Sequence, residues 1–336
     1  MTTPGGEVAG VWPSSNSKPR RIVGFGVGIL LFAAAVAAVV TSRASLAHAI
    51  DSLEHPNLLL VALAVALPLL NWHLISVSFW VLTRRYGHVG LGEMHALIGS
   101  AWLLNYLPLR PGMFGRIAYH KRVNRIRVKD SVRVLAVSVA LTLASNAMIC
   151  VIAWVMLDAS PMAGWVIVAL PGAFFSLAGL LLAGQAASAF STAPGLAIAM
   201  GVRYFDILVW VARYAVVFHL IGYPVTLAEA TLITAVSQAA LLVPLVGNGL
   251  GVREWGIGLA VPVMAGQSPR ALGLAADLLN RAAEVLVALP VGLIASALLY
   301  RRTGRTLGLR SGRKAPPAID LQSGTDPADA HSRKGL

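Results

Sequence analysis

EMHALIGSAWLLNYLPLRPGMFGR, residues 93–116, begins as an apolar helix, is cut by Pro108 and Pro111, and ends in arginine. At 1.5 Å per residue the run from Glu93 to Pro108 is about 24 Å long. That is short of the roughly 30 Å hydrocarbon core of a bilayer. The same outline returns at residues 229–254, EATLITAVSQAALLVPLVGNGLGVRE. Glu93 and Glu229, Pro108 and Pro244, and Gly115 and Gly251 are each 136 positions apart. An arginine follows closely in both copies, Arg116 and Arg253. A pair of broken apolar segments in corresponding positions is the sequence pointer to a binding site in a transporter-like fold.

Composition sets the solvent. Of the 336 residues 57% are hydrophobic and 12% charged, with a mean hydropathy of +0.73. Soluble domains carry about 25% charged residues, so the chain reads as a polytopic membrane protein. The net charge of +13 is gathered in a few loops. In a membrane protein such loops lie in the cytoplasm and face anionic lipid heads. No basic and aromatic interleaving points to nucleic acid. The single cysteine, Cys150, lies in an apolar run and excludes an internal disulfide or a cysteine metal site.

Charge also sets the topology. Residues 1–21 are expected to be a disordered cytoplasmic N-terminus, with Lys18, Arg20 and Arg21 at its end. Ile22–Thr41 crosses outward, 42–56 is an outer loop, and Asn57–Leu82 returns to Arg84 and Arg85. Asn71 and His73 lie at depth and are expected to face protein, because lipid offers them no partner. After Pro108 come Arg110, Arg116, Lys121, Arg122, Arg125, Arg127, Lys129 and Arg133, opposed by Asp130 alone. If Glu93–Pro108 spanned the bilayer, this most basic loop would lie outside. A re-entrant segment keeps both ends inside.

Ser131–Leu157, Trp165–Ala187, Leu196–Ile221 and Ala271–Tyr300 then cross, and Glu229–Ala265 forms a second re-entrant element entering from outside. The expected fold is all-α: six full transmembrane helices plus two re-entrant hairpins. The membrane domain covers residues 22–300 and the tail 301–336 is basic, then disordered, in the cytoplasm. The 136-residue offset maps the first half, 22–157, onto the second, 158–300. Three full spans separate the hairpins, so the copies point in opposite directions as an inverted repeat.

At this point the residues suggest a family. Asn105-Tyr-Leu-Pro-Leu-Arg110-Pro-Gly112-Met-Phe-Gly-Arg116 resembles the N…P-x-R-x-G-E-x-x-R signature of the lysylphosphatidylglycerol synthase transmembrane family. Pro244-Leu-Val-Gly247-Asn248-Gly249-Leu-Gly251-Val-Arg253-Glu254 resembles its P-x-x-G-G-L-G-V-R-E signature. The late span with Arg281 and Gly292 is similar to the family's last helix. Met113 stands where the family often has Glu, and Asn248 where it often has Gly. The resemblance covers about residues 20–300. It implies a helical bundle that moves lipids between leaflets of the cell membrane, as a stand-alone member without the aminoacyl-transferase domain.

The candidate substrate-binding residues are Asn105, Arg110, Gly112 and Arg116 at one break, Gly247, Asn248, Gly249, Gly251, Arg253 and Glu254 at the other, and Arg281 and Glu284 on the last span, with Arg203, Asp206 and Arg213 as a polar groove. Arginine binds phosphate in a directional, bidentate way, and a glycine run lets backbone N–H groups approach an anion. Arg253 and Glu254 are adjacent and do not face each other on a helix, so each needs another partner. Arg203, Asp206 and Arg213 share one helix face, as do Asp277, Arg281 and Glu284. Charges at mid-bilayer must pair or meet water, and two readings stay open: salt bridges that hold the bundle, or a polar groove for a lipid head group. Glu93 and Glu229 read as helix starts favoured by the dipole. No P-loop, zinc-type His pair or nucleophile motif occurs, and the one D-x-x-D, Asp326–Asp329, lies in the tail. No metal or cofactor is expected, and a lipid is the expected partner. The functional expectation is a lipid translocase; the alternatives are a membrane-embedded transferase on a lipid-linked substrate, or a scaffold for an envelope lipid synthesis enzyme.

Overall fold

The computed structural model describes residues 18–42, 47–107, 110–155, 161–185, 192–241, 247–264 and 270–311. Among these residues every regular element is a helix: α1 (Lys18–Thr41), α2 (Ala47–Glu54), α3 (Leu58–Arg84), α4 (Leu91–Leu104), α5 (Pro111–Arg122), α6 (Val128–Val155), α7 (Pro161–Gln185), α8 (Thr192–Leu220), α9 (Leu227–Leu241), α10 (Val252–Met264) and α11 (Arg270–Ser311), with a 3₁₀ turn at Gly247–Gly249. Five are long and apolar enough to cross a membrane: α3, α6, α7, α8 and the Arg270–Arg302 part of α11. The other expected crossing, Ile22–Thr41, falls within α1, of which Phe32–Thr41 is a shorter apolar stretch. Pro108 and Pro244 lie outside the described residues, as do 1–17 and 312–336.

Helix α8 is the core of the bundle. In its apolar window 61% of residues are buried, against 17–28% in the other four. This follows from its sequence, since Arg203, Asp206 and Arg213 would each be costly against lipid. α3, α6, α7, α9 and α11 all pack on it. The opposite faces carry apolar side chains outward, such as Leu177, Leu180 and Leu181 of α7 and Leu286, Leu293 and Ile294 of α11. A bundle in hydrocarbon exposes such groups without penalty.

Two helical hairpins point at each other along α11. In the first, α4 and α5 run side by side. A Cβ on Gly112 would stand 2.3 Å from the carbonyl oxygen of Ala101, so only glycine permits this approach. At the foot, Asn124 Nδ2 donates to Glu93 Oε1 at 2.9 Å, and Arg302 pairs with the same carboxylate at 3.2 Å. Gly292 accepts Leu103 where a side chain would collide at 2.4 Å. In the second hairpin Gly256 of α10 lies against Val236 of α9, and Gly258 against Leu274 near the start of α11. The feet of the two hairpins thus sit at opposite ends of α11. Their tips meet: Arg110 Nη2 donates to the carbonyl oxygen of Leu241 at 2.8 Å.

Several details differ from expectation. The loop expected at 42–56 contains the short helix α2, and α11 continues past Tyr300 to Ser311. Asn71 is buried as expected, but His73 lies on an exposed flank. Its polar group is satisfied locally. His95 Nδ1 donates to the Leu91 carbonyl at 2.9 Å, which leaves His95 Nε2 to accept from His73 Nδ1 at 3.0 Å.

Candidate functional site: a buried charge cluster between two hairpin tips

The cluster grows from α8 and α11, which run antiparallel and face each other. Asp277, Asn280, Arg281 and Glu284 fall within two turns of α11, so one face delivers them together. From α8, Arg213 Nη2 reaches Glu284 Oε2 at 3.1 Å and Arg213 Nε donates to Asn280 Oδ1 at 3.1 Å. From α10, Arg253 Nε pairs with Asp277 at 3.0 Å and Arg253 Nη1 with Glu284 Oε2 at 3.3 Å. Glu254, its neighbour, turns the other way and pairs with Arg281. Each of the two adjacent residues finds its partner on α11. Further along α8, Arg203 pairs with Asp206 at 3.0 Å and donates to Ser138 of α6. Asn71 of α3 joins these groups: its Nδ2 donates to Asp206 Oδ1 at 2.7 Å and its Oδ1 accepts from Arg213 at 3.2 Å.

Charge in this core balances. Arg203, Arg213, Arg253 and Arg281 face Asp206, Asp277, Glu254 and Glu284, and all eight are buried. Removing an ion from water costs several kcal/mol even after relaxation, so a one-to-one match is what makes burial tolerable. The arginines also rest on aromatic surface, with Arg213 3.9 Å above the ring of Trp210.

Glu284 binds both hairpin tips. Its Oε1 accepts from Trp102 at 3.2 Å and Tyr106 at 2.9 Å on the first hairpin, and from Asn248 at 3.1 Å on the second. Its Oε2 takes the two arginines. The tips themselves are bent by unusual backbone. Arg110 at the start of α5 has φ 49°, and Asn248, Gly249 and Gly251 have φ of 49°, 68° and 79°. Asparagine tolerates this left-handed region better than most residues, so Asn248 keeps the turn and adds a donor to Glu284. Gly247 opens the same 3₁₀ turn.

The candidate residues therefore divide. Arg110, Asn248, Gly249, Gly251, Arg253, Glu254, Arg281, Glu284 and Arg213 gather at or beside the junction. Asn105 caps the C-terminus of α4 there, and its buried Oδ1 has no hydrogen-bond partner among the described residues. Arg253 Nη2 and Asn280 Nδ2 also lack one, so the junction retains bonding capacity for a polar group or water. Gly112 serves the packing of α4 on α5, against Ala101. Arg116 stands apart, on the far side of α5, with its guanidinium 3.9 Å above the ring of Phe79. Tyr106, Trp102, Asn280 and Tyr214, which donates to Asp277 at 2.9 Å, belong to the junction and were not singled out in the sequence. Asn280 carried a signal, since it lies three residues from Asp277 and four from Glu284 on the same face. No family model, no curated protein and no solved structure matches the chain.

Proposed function

We propose that the protein is an integral membrane lipid translocase that moves a phospholipid, glycolipid or related envelope lipid between leaflets. The observation that carries this reading is the meeting of two oppositely directed hairpin tips at a buried, charge-balanced junction. Irregular backbone at membrane depth is tolerated where it is enclosed by protein or lines a cavity, and here Arg110 and Asn248 are half-buried against the opposite hairpin and α11. In this reading the hairpins are re-entrant, and the end carrying Arg84, Lys121 and Arg302 is cytoplasmic, against anionic head groups of the plasma membrane. An inverted repeat fits the same frame. Adding 136 to Leu91–Leu104 gives 227–240, and α9 is Leu227–Leu241; adding it to Leu58–Arg84 gives 194–220, and α8 is Thr192–Leu220. The motif resemblance at residues 105–116 and 244–254 supports lipid as the cargo.

Arg110 and Arg253 are the groups through which a phosphate would be passed, each exchanging its present partner for a head-group oxygen while the acyl tails stay in lipid. The test is the leaflet distribution of a labelled phospholipid in proteoliposomes. The protein should accelerate its redistribution, and Arg110→Ala with Arg253→Ala should slow it by about tenfold or more, equivalent to about 1.4 kcal/mol or more of lost stabilisation. Unchanged redistribution by a doubly substituted, properly folded protein would remove the proposed site.

A further inference from the structure

Arg116 is the buried arginine outside the balanced set. It is 9% exposed, and among the described residues it forms no ion pair. The cation whose field it feels is Arg203, of the same sign, and burial with that neighbour pushes its guanidinium down to about 10, still charged at neutral pH. The Phe79 ring beneath it offsets part of the desolvation, but a ring face carries no net charge. Of the carboxylates at this end, Glu93 is held by Arg302 and Asn124, and Asp130, in the first turn of α6, pairs with Arg133 at 3.5 Å.

Beside Arg116 lies a small cavity of about 10 Å³, lined by Arg116, Thr83, His120, Ser131, Ile126 and Val134 over Phe79. That is room for one water-sized sphere. Ser131 is 8% exposed, lines the cavity, and its Oγ has no hydrogen-bond partner. Its own N–H donates to the Arg127 carbonyl at 3.1 Å, so the hydroxyl is the group Ser131 has left to offer a ligand. His120 gives Nδ1 to Asn124 at 3.0 Å, and burial pushes its imidazole below its usual value, so it supplies no charge to compete with Arg116.

We infer that this cavity is a binding site for a chloride ion, held by the Arg116 guanidinium and Ser131 Oγ; chloride is somewhat larger than water, so the flexible Arg116 head gives way slightly to admit it. A water there would satisfy Ser131 and leave the arginine uncompensated. A phosphate is too large for the space and would meet the apolar walls of Phe79, Ile126 and Val134. The anion completes the charge balance of the buried core and pins the return leg of the first hairpin to α6. The site is separate from the junction and does not depend on lipid movement.

The test uses the full chain purified in detergent at constant ionic strength. Thermal midpoint is followed as sodium gluconate is replaced by sodium chloride, bromide or phosphate. Chloride should raise the midpoint in a saturable way, as a ligand of the folded state does, while bromide, larger still, should do so at higher concentration and phosphate should not exceed gluconate. Arg116→Gln should abolish the chloride dependence, and Ser131→Ala should raise the half-saturating chloride several-fold. An equal chloride dependence in wild type and Arg116→Gln, or none in wild type, would overturn the site. Stabilisation by phosphate as strong as by chloride would overturn the anion's identity. If Arg116→Gln does not fold, Ser131→Ala decides: an unshifted half-saturation refutes the assignment.

Discussion

Glu284 divides its two oxygens between the neutral donors of the hairpin tips and the cations of α8 and α10. Its loss touches every partner at once. Glu284→Gln leaves Arg253 with Asp277 and leaves Arg213 with no carboxylate. Breaking one side of a buried ion pair costs about 3–5 kcal/mol, so this isosteric change should lower unfolding stability in detergent by that order. A loss below about 1 kcal/mol would mean that water already screens the cluster. Exposed pairs behave differently. Arg133 and Asp130 lie 3.5 Å apart with the arginine largely solvent-exposed, and such a pair contributes at most about 1 kcal/mol.

The hairpins are built from small residues rather than from length. α4 has 14 residues and α5 has 12, too few to cross alone, so each leg is stable only against its neighbour. Gly112 and Gly115 make a matched comparison within one helix. A Cβ at Gly112 would drive into Ala101, while at Gly115 nothing lies within 4 Å. Gly112→Ala should destabilise the protein by about 1–3 kcal/mol through overpacking. Gly115→Ala should be neutral or stabilising by up to about 1 kcal/mol through helix propensity. Thermal unfolding of both variants checks this, and equal effects would contradict the close contact of α4 with α5. The second hairpin starts on firmer local ground. Thr226 and Glu229 form a reciprocal cap, with the Thr226 N–H donating to Glu229 Oε2 at 2.7 Å and Glu229 N–H to Thr226 Oγ1 at 3.3 Å.

At the scale of the molecule, the claim to test is that both feet of each hairpin share one face of the membrane. Replacing Cys150, the single cysteine, with serine gives a thiol-free background. Cysteines at Gly92, Lys121 or Arg302 should then react with an impermeant thiol reagent from one face, and cysteines at Thr226 or Arg270 from the other. Reaction of Gly92→Cys and Lys121→Cys from opposite faces would mean that the first hairpin traverses the bilayer. Hairpins that approach along α11 from its two ends bring Trp102, Tyr106, Asn248 and Arg253 to one carboxylate, Glu284.

Five long apolar helices and the two broken segments were legible in the chain, because hydropathy and the 136-residue spacing of Glu93 with Glu229 are local or periodic properties. That Arg253 and Glu254 each needed a distant partner also followed from helix geometry alone. Which partner each takes did not, because pairing depends on how α8, α10 and α11 rotate against one another. Sequence adjacency placed Arg116 with Arg110, yet the turn of α5 carries Arg116 to Phe79 and the α6 side. His73 showed the opposite limit: its place within a long apolar helix was readable, but its orientation was set by packing, and a single neighbour, His95, was enough to satisfy it. The balance of four arginines by four carboxylates is likewise a property of assembled helices, since charges tens of residues apart become partners only when tertiary contact removes the water between them.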